Sequence, residues 1–272
     1  MNVTIDTRPV AEPTPWLART PRIRSALLVA ANLLGLAAFV WPFLVPSLAG
    51  PSDENHAGDG PWILLALGAI LLALLFLELG RGGLGPKTVA LLGVLGAAMV
   101  ALRLPGFVAG FSAMFLVVLV AGNAFGPSFG FLLGAVGTFA SGLFLGGLGP
   151  WLPFQMVAVG WVGAGAGLLP HGRTWTTRLT WLAGYGVLSG YAFGVIMGLW
   201  FWPFLTDGSA LAWSPAASTV TNVRRYLAFY AVDAFVWDTF RAVGNAVLVL
   251  LVGRPVLGAL DRAARRMRLD VV

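Results

Sequence analysis

The sequence predicts an all-α protein, a bundle of helices that cross a membrane. Hydrophobic residues make up 58% of the 272 residues and charged residues only 10%, with a mean hydropathy of +0.85. This composition excludes an ordinary water-soluble domain. The apolar residues also fall into runs of roughly 16 to 27 residues, close to the length that a helix needs to cross hydrocarbon. Both observations indicate a polytopic membrane protein.

Eight apolar runs are predicted to be transmembrane helices, since proline, glycine or charge bounds each of them. In chain order they are 25–46, 62–80, 88–103, 107–123, 127–147, 152–169, 178–202 and 226–252. Several are short for a hydrocarbon layer of about 30 Å, so some of these helices are expected to be tilted or re-entrant. Four parts follow: a tail (1–24), two additional helices (25–80), a six-helix core (88–252) and a basic tail (253–272).

The arginine and lysine residues predict the orientation of the bundle, because connections on the cytoplasmic side are enriched in them. With eight spans, most cationic residues fall on one side: Arg8, Arg19, Arg22, Arg24, Arg81, Lys87, Arg173, Arg178, Arg254, Arg262, Arg265, Arg266 and Arg268. The other side receives Arg103, Arg224 and Arg225. We therefore expect a plasma-membrane protein with both termini in the cytoplasm. The basic tail is expected to form a cytoplasmic helix after Pro255 or a solvated anchor.

Glycine or another small residue recurs every four residues in two predicted helices. The two ladders are Gly130, Gly134, Thr138, Gly142 and Gly146, and Gly186, Gly190, Gly194 and Gly198. Small side chains at this spacing let helix backbones approach closely. Both ladders are expected to pack inside the bundle, and docking of another membrane subunit is the alternative.

The last predicted helix carries charges within an otherwise apolar span, where each costs a few kcal/mol unless it has a partner or a function. At 100° per residue its polar and aromatic groups share one arc of about 140°. They are Tyr226, Tyr230, Asp233, Trp237, Asp238, Arg241 and Asn245. Asp238 and Arg241 are three residues apart and are predicted to form a structural ion pair. Asp233 has no such neighbour and is the leading candidate to bind a ligand.

Three residues elsewhere complete the predicted binding site at the outer face. Gln155 follows two prolines at the start of the sixth helix and is expected to point into the bundle. Trp151 lies at the same mouth, where stacking on a ligand and anchoring in the membrane interface are both open. Arg103, at the outer end of the third helix, is predicted to pair with Asp233 or with an anionic group of a ligand. Interfacial anchoring is expected to explain Trp200, Trp202 and Trp213.

Absent motifs restrict the function further. There is no cysteine, and the two histidines, His56 and His171, are far apart, so neither a metal site nor a bound cofactor is expected. No P-loop, zinc-protease or nucleophile-elbow motif is present. The basic residues lack the interleaved aromatics of nucleic-acid modules. The chain is expected to be a binder or conduit and not an enzyme.

Residues 121–170 resemble the substrate-specific S components of energy-coupling factor transporters. The resemblance rests on the small-residue turn Gly122–Pro127, on the glycine-repeat helix from Gly126 to Gly146, and on the stretch GPWLPFQM from Gly149 to Met156. The last stretch is similar to that of actinobacterial members. The resemblance covers the six-helix region 88–252.

The resemblance implies a subunit that captures a vitamin at the outer face, with a cobalamin-type corrinoid as the first expectation. It also implies a transmembrane coupling subunit and two cytoplasmic ATPases as partners, and these ATPases would use the ATP. Substrate would be held by Asp233, Gln155, Tyr230, Trp237, Arg103, Tyr226 and Trp151. The loops over the pocket would be 103–107, 146–151 and 203–225.

The family's small-residue docking face has its nearest match in Gly93, Ala97 and Ala101 on the third helix. Ala26 and Ala30, on one of the two additional helices, compete for that role. Two other functions stay open. One is a stand-alone secondary carrier that uses Asp233, Asp238 and Arg241; the other is an intramembrane enzyme that uses Asp233 and Asp238.

Overall fold

The computed structural model describes residues 20–45, 60–79, 86–104, 111–145, 147–205 and 209–269, and these contain helices and no strand. The helices are α1 (Thr20–Leu44), α2 (Gly60–Leu79), α3 (Pro86–Arg103), α4 (Met114–Phe125), α5 (Pro127–Phe144), α6 (Leu152–Leu168), α7 (Trp175–Phe201), α8 (Thr219–Phe229) and α9 (Phe235–Leu269). A short 3-10 turn, Trp202–Phe204, ends α7, and a π-helical turn, Tyr230–Ala234, joins α8 to α9. The all-α fold class is confirmed.

Several of these helices have the length and apolar character needed to cross a membrane. Within the described part of the chain the long stretches are Ser25–Leu44, Pro127–Phe144, Trp175–Phe204 and Thr219–Arg266. Shorter apolar helices are Pro61–Ala73, Val89–Arg103, Met114–Phe125 and Leu152–Leu168. The protein is a helical membrane bundle, and the number of crossings stays a prediction.

The predicted end of the last helix is wrong. The structure continues α9 through Pro255 to Leu269, so residues 253–269 of the basic tail are an extension of that helix and not a separate element. A proline removes one backbone hydrogen bond without necessarily ending a helix. The predicted helix 107–123 is also shorter in the structure, where α4 begins at Met114. Residues 1–19 of the predicted N-terminal tail lie outside the described residues.

α5 and α6 form the closest helix pair, and glycine explains their approach. Gly130 and Gly163 face each other so closely that a Cβ on either would meet the carbonyl of the other. One turn further on, a Cβ at Gly134 would lie 2.6 Å from the carbonyl oxygen of Val159. The first glycine ladder therefore packs inside the bundle, as expected, at the positions that the structure describes.

The second glycine ladder packs against α8 and α9. Gly186 faces Asn245, Gly190 faces Ala242, Gly194 faces Asp238 and Gly198 faces Tyr226. The polar groups of α8 and α9 thus meet a surface without side chains. This contact lets them reach the backbone carbonyls of α7.

α1 is built into the bundle through α6. Asn32 accepts a 2.5 Å hydrogen bond from the indole N–H of Trp161, and Phe39 packs edge-on against Phe154 with ring centroids 5.1 Å apart. Phe43, near the end of α1, contacts Trp213 with centroids 5.0 Å apart. The additional helix α1 therefore shares the apolar core of the predicted six-helix region.

Candidate functional site

Arg103, Ser141 and Gln155 form a polar cluster between α3, α5 and α6. One Nη of Arg103 donates to Ser141 Oγ at 2.5 Å and the other donates to Gln155 Oε1 at 3.1 Å. The Ser141 hydroxyl in turn donates to the Thr138 carbonyl at 2.8 Å. Among the described residues no carboxylate pairs with Arg103. The cluster therefore holds a partly buried cation whose protein partners are all neutral.

Tryptophan lies one helical turn from this cluster. Trp151 precedes α6, and its carbonyl accepts the backbone N–H of Gln155 at 3.0 Å, so the two residues follow each other along one face. The Trp151 ring packs edge-on against Trp200 at a centroid distance of 6.2 Å. Of the predicted binding residues, Arg103, Gln155 and Trp151 are thus brought together.

The polar face of the last helix is divided by the π-helical turn. In this turn the N–H of Phe235 bonds to the carbonyl of Tyr230, five residues back, so one residue more than in an α-helix is accommodated. An uninterrupted helix would set Tyr230 about 80° away from Asp238 around the axis. The surplus residue brings Tyr230 and Asp238 onto the same face of the helix. The Tyr230 hydroxyl donates to Asp238 Oδ2 at 2.8 Å.

Asp238 lies at the centre of a buried network between α7 and α9. It forms the predicted ion pair with Arg241, which is confirmed. Arg241 also approaches the carbonyl of Gly190 at 3.5 Å, and its guanidinium carbon lies 4.9 Å from the centroid of Phe193. One turn deeper, Asn245 donates to the Gly186 carbonyl at 3.1 Å. These groups bond to the protein itself.

The structure does not bring the other predicted binding residues to Arg103 and Gln155. The hydroxyl of Tyr226 donates to the Val195 carbonyl, and its ring packs against Trp202. Asp233 and Trp237 are exposed on the outer surface of the bundle. Among the described residues Arg103 does not pair with Asp233, so that predicted alternative is wrong.

Two of the three tryptophans expected to anchor in the interface, Trp202 and Trp213, instead belong to a buried aromatic cluster at this end of the bundle. Trp200 is partly buried against Trp151 and Phe154. Trp202 is 0% exposed and Trp213 is 4% exposed. The indole N–H of Trp202 donates to the Leu211 carbonyl at 3.1 Å, and Asn222 on α8 donates to the Ser214 carbonyl at 2.9 Å. These bonds tie the described loop residues 209–218 to the end of α7 and to α8.

A second buried charge, which the sequence interpretation missed, lies at the opposite end. Arg178 contacts both carboxylate oxygens of Asp261, at 2.6 and 3.1 Å, and its Nε donates to Asn123 Oδ1 at 2.7 Å. The network ties α7 to α9 and α4. The charge pattern of the sequence makes Arg178 only a topology marker, and its position in the first turn of a long apolar helix is the signal for its burial.

The predicted docking stripe on α3 is exposed. Gly93, Ala97 and Ala101 all face away from the bundle, and a Cβ added at Gly93 would meet nothing within 4 Å. Ala26 and Ala30 on α1 are exposed as well. The structure therefore leaves both competing stripes open to lipid or to a partner.

The comparisons with known proteins complete this description. No protein-family model matches the chain, and neither a curated protein nor a solved structure matches it.

Proposed function

We propose that this protein is the membrane-embedded substrate-binding subunit of an ATP-driven importer, of the S-component type. The observation that carries the proposal is the arginine cluster at the outer ends of α3, α5 and α6, together with the resemblance of residues 121–170. A cation held by a hydroxyl and an amide, with a tryptophan one turn away, is suited to an anionic group on an aromatic or heterocyclic ligand.

The ligand proposed here is a vitamin-type molecule that carries a carboxylate or a phosphate. Arg103 would bind that group, Gln155 would hold Arg103 and offer its amide N–H, and Trp151 would contact the ring system. A corrinoid with its phosphodiester fits this chemistry, and a carboxylate-bearing vitamin fits it equally. A cationic vitamin such as thiamine does not.

In this proposal the chain resides in the plasma membrane with both termini in the cytoplasm. A transmembrane coupling subunit and two cytoplasmic ATPases would supply the energy for release. The exposed stripe of Gly93, Ala97 and Ala101 supports a docking face on α3, since close helix approach needs small side chains.

The direct test is ligand binding by the purified full chain, measured by calorimetry with cyanocobalamin, biotin, folate and thiamine. We expect a vitamin that carries a carboxylate or a phosphodiester to bind and thiamine not to bind. Arg103→Gln should weaken that binding about tenfold to a hundredfold, because a hydrogen bond to a charged group contributes about 1.5–3 kcal/mol.

The matched control is Arg173→Gln, since Arg173 is an exposed arginine in the connection before α7, at the end of the bundle opposite Arg103. It should bind like the parent chain. Thermal unfolding of both variants separates a lost contact from a lost fold. The proposal is overturned when none of the vitamins with a carboxylate or a phosphodiester binds, or when folded Arg103→Gln binds as tightly as the parent.

A second candidate function, a secondary carrier, is favoured by the network of Tyr230, Asp238 and Arg241 within the span. Uptake by cells that express the chain distinguishes the two. Uptake that continues after the ATPases of the coupling module are inactivated supports the carrier, and uptake that stops supports the subunit. The third alternative, an intramembrane enzyme that uses Asp233 and Asp238 together, is not favoured, since Asp233 is exposed and Asp238 is buried.

A further inference from the structure

Asp233 is a carboxylate on the outer surface of the π-helical turn. Its side chain is exposed, and no hydrogen bond or ion pair joins it to any residue that the structure describes. The neighbouring surface is apolar: Val232 is 77% exposed, Val236 56% and Phe240 53%. Asp233 is therefore a single charged group on a hydrophobic face.

The depth of Asp233 follows from the arginines that flank the long helix. Arg225 and Arg254 are separated by about 43 Å of helix, whereas the hydrocarbon layer is about 30 Å thick. A layer centred between them begins about 7 Å below Arg225, and Asp233 lies about 12 Å below it. The exposed carboxylate thus lies inside the hydrocarbon, where an unpaired charge costs a few kcal/mol.

The chain itself has no free cation at that depth among its described residues. Arg241 is paired with Asp238, and Arg103 is bonded to Ser141 and Gln155. The remaining arginines lie at the ends of the predicted spans or in the connections. A second copy of the chain would therefore bring no cation to Asp233.

We propose that the face formed by Asp233, Val236 and Phe240 binds a transmembrane helix of a different membrane protein, which carries an arginine or lysine in its outer half. The apolar residues supply contact area, and the ion pair fixes depth and register, because a charge pair within hydrocarbon is satisfied at only one axial position. This partner surface is independent of the ligand proposed for Arg103.

The test uses a photoreactive amino acid at Val236 in the full chain, in membranes of its source cell. A matched probe at Leu188, which is 64% exposed on α7, reports nonspecific neighbours. We expect the Val236 probe, and not the Leu188 probe, to label one membrane protein with a basic residue in a span. Asp233→Asn should reduce labelling severalfold, and Asp233→Lys should abolish it.

Charge exchange makes the test decisive. Combining Asp233→Lys with an acidic replacement of the partner's basic residue should restore labelling. The proposal is overturned when the Val236 probe labels only lipid, when it links two copies of the 28.6 kDa chain, or when labelling does not depend on residue 233. Because the side chain is exposed, size-exclusion profiles of the variants should match that of the parent.

Discussion

Asp238 is the residue at which two polar interactions of the last helix meet, where that helix packs against α7. It accepts from Tyr230, pairs with Arg241 and faces Gly194, while only 3% of its surface is exposed. In a water-soluble protein, a buried ion pair often contributes no more to stability than well-packed apolar residues in its place. Within a membrane bundle, each charge is stable only while its partner remains.

Removing one member of this pair should therefore be costly. Asp238→Ala leaves Arg241 charged and unneutralised within the span, and we expect a loss of about 3–5 kcal/mol in the free energy of unfolding. The measurement is the unfolding midpoint in mixed micelles as the SDS fraction rises. The double variant Asp238→Ala/Arg241→Ala should recover part of the loss.

The control at the same scale is Asp233→Asn. Its side chain is exposed and makes no ion pair in the described chain, so its midpoint should stay at or above that of the parent. If Asp238→Ala unfolds at the same SDS fraction as the parent, the buried pair does not stabilise the bundle.

At the scale of elements, α7 offers two kinds of glycine that the sequence alone does not separate. Gly190 faces the α9 backbone, where a Cβ would lie 2.7 Å from the Cα of Ala242. Gly184, on the same helix, has nothing within 4 Å of its added Cβ. Gly190 is needed for the contact between α7 and α9, whereas Gly184 only adds backbone freedom.

Gly190→Ala should push α7 and α9 apart and destabilise the protein by about 1–3 kcal/mol. Gly184→Ala should be neutral or stabilising by up to about 1 kcal/mol, because alanine favours the helix. SDS unfolding of both variants measures the difference. Equal midpoints would show that the second ladder is not a tight contact.

Sequence hydropathy was sufficient to place most helices, because apolar length and flanking proline or charge determine where a span begins. The register of the last helix could not be predicted, since the angular projection assumes an uninterrupted α-helix. One surplus residue between Tyr230 and Ala234 brings Tyr230 over Asp238. Trp237 lies about 100° from Asp238 within α9 itself and faces outward, as Asp233 does. Local sequence carries no strong signal for such a turn.

The candidate site was likewise predictable only in part. The sequence identifies Arg103 and Gln155 as candidates, because both are polar and lie at the same predicted end of the bundle. Ser141 gives no such signal, since it is one small residue among many in a glycine-rich helix. The bonds of Arg178 to Asp261 and Asn123 join three helices far apart in sequence. Such partners follow from packing, and spacing along the chain does not indicate them.

At the scale of the whole molecule, α1 belongs to the same core as the helices that hold the candidate site. Phe39 is 2% exposed and contacts both Phe154 and Trp161 of α6. Gln155, the amide that holds Arg103, follows Phe154 directly. A change in how α1 packs against α6 therefore affects the position of the first turn of α6.

Phe39→Ala should lower the free energy of unfolding by more than about 1 kcal/mol, though by less than the about 3–5 kcal/mol typical of a water-soluble core, because lipid can replace part of the lost contact. Leu36→Ala is the matched control, since Leu36 is 50% exposed on the same helix. Thermal unfolding in detergent compares them. Identical melting of the two variants would contradict a structural role for α1.

The π-helical turn also determines how α8 is rotated about its axis relative to α9. If a single residue were removed from Tyr230–Ala234, α8 would rotate by about 100° about its axis relative to α9. Asn222 would then lose its bond to Ser214, and Tyr226 would lose its bond to Val195. One amino acid in the π-helical turn therefore allows α8 to hold Ser214 and Val195 while Asp238, paired with Arg241, remains buried against α7.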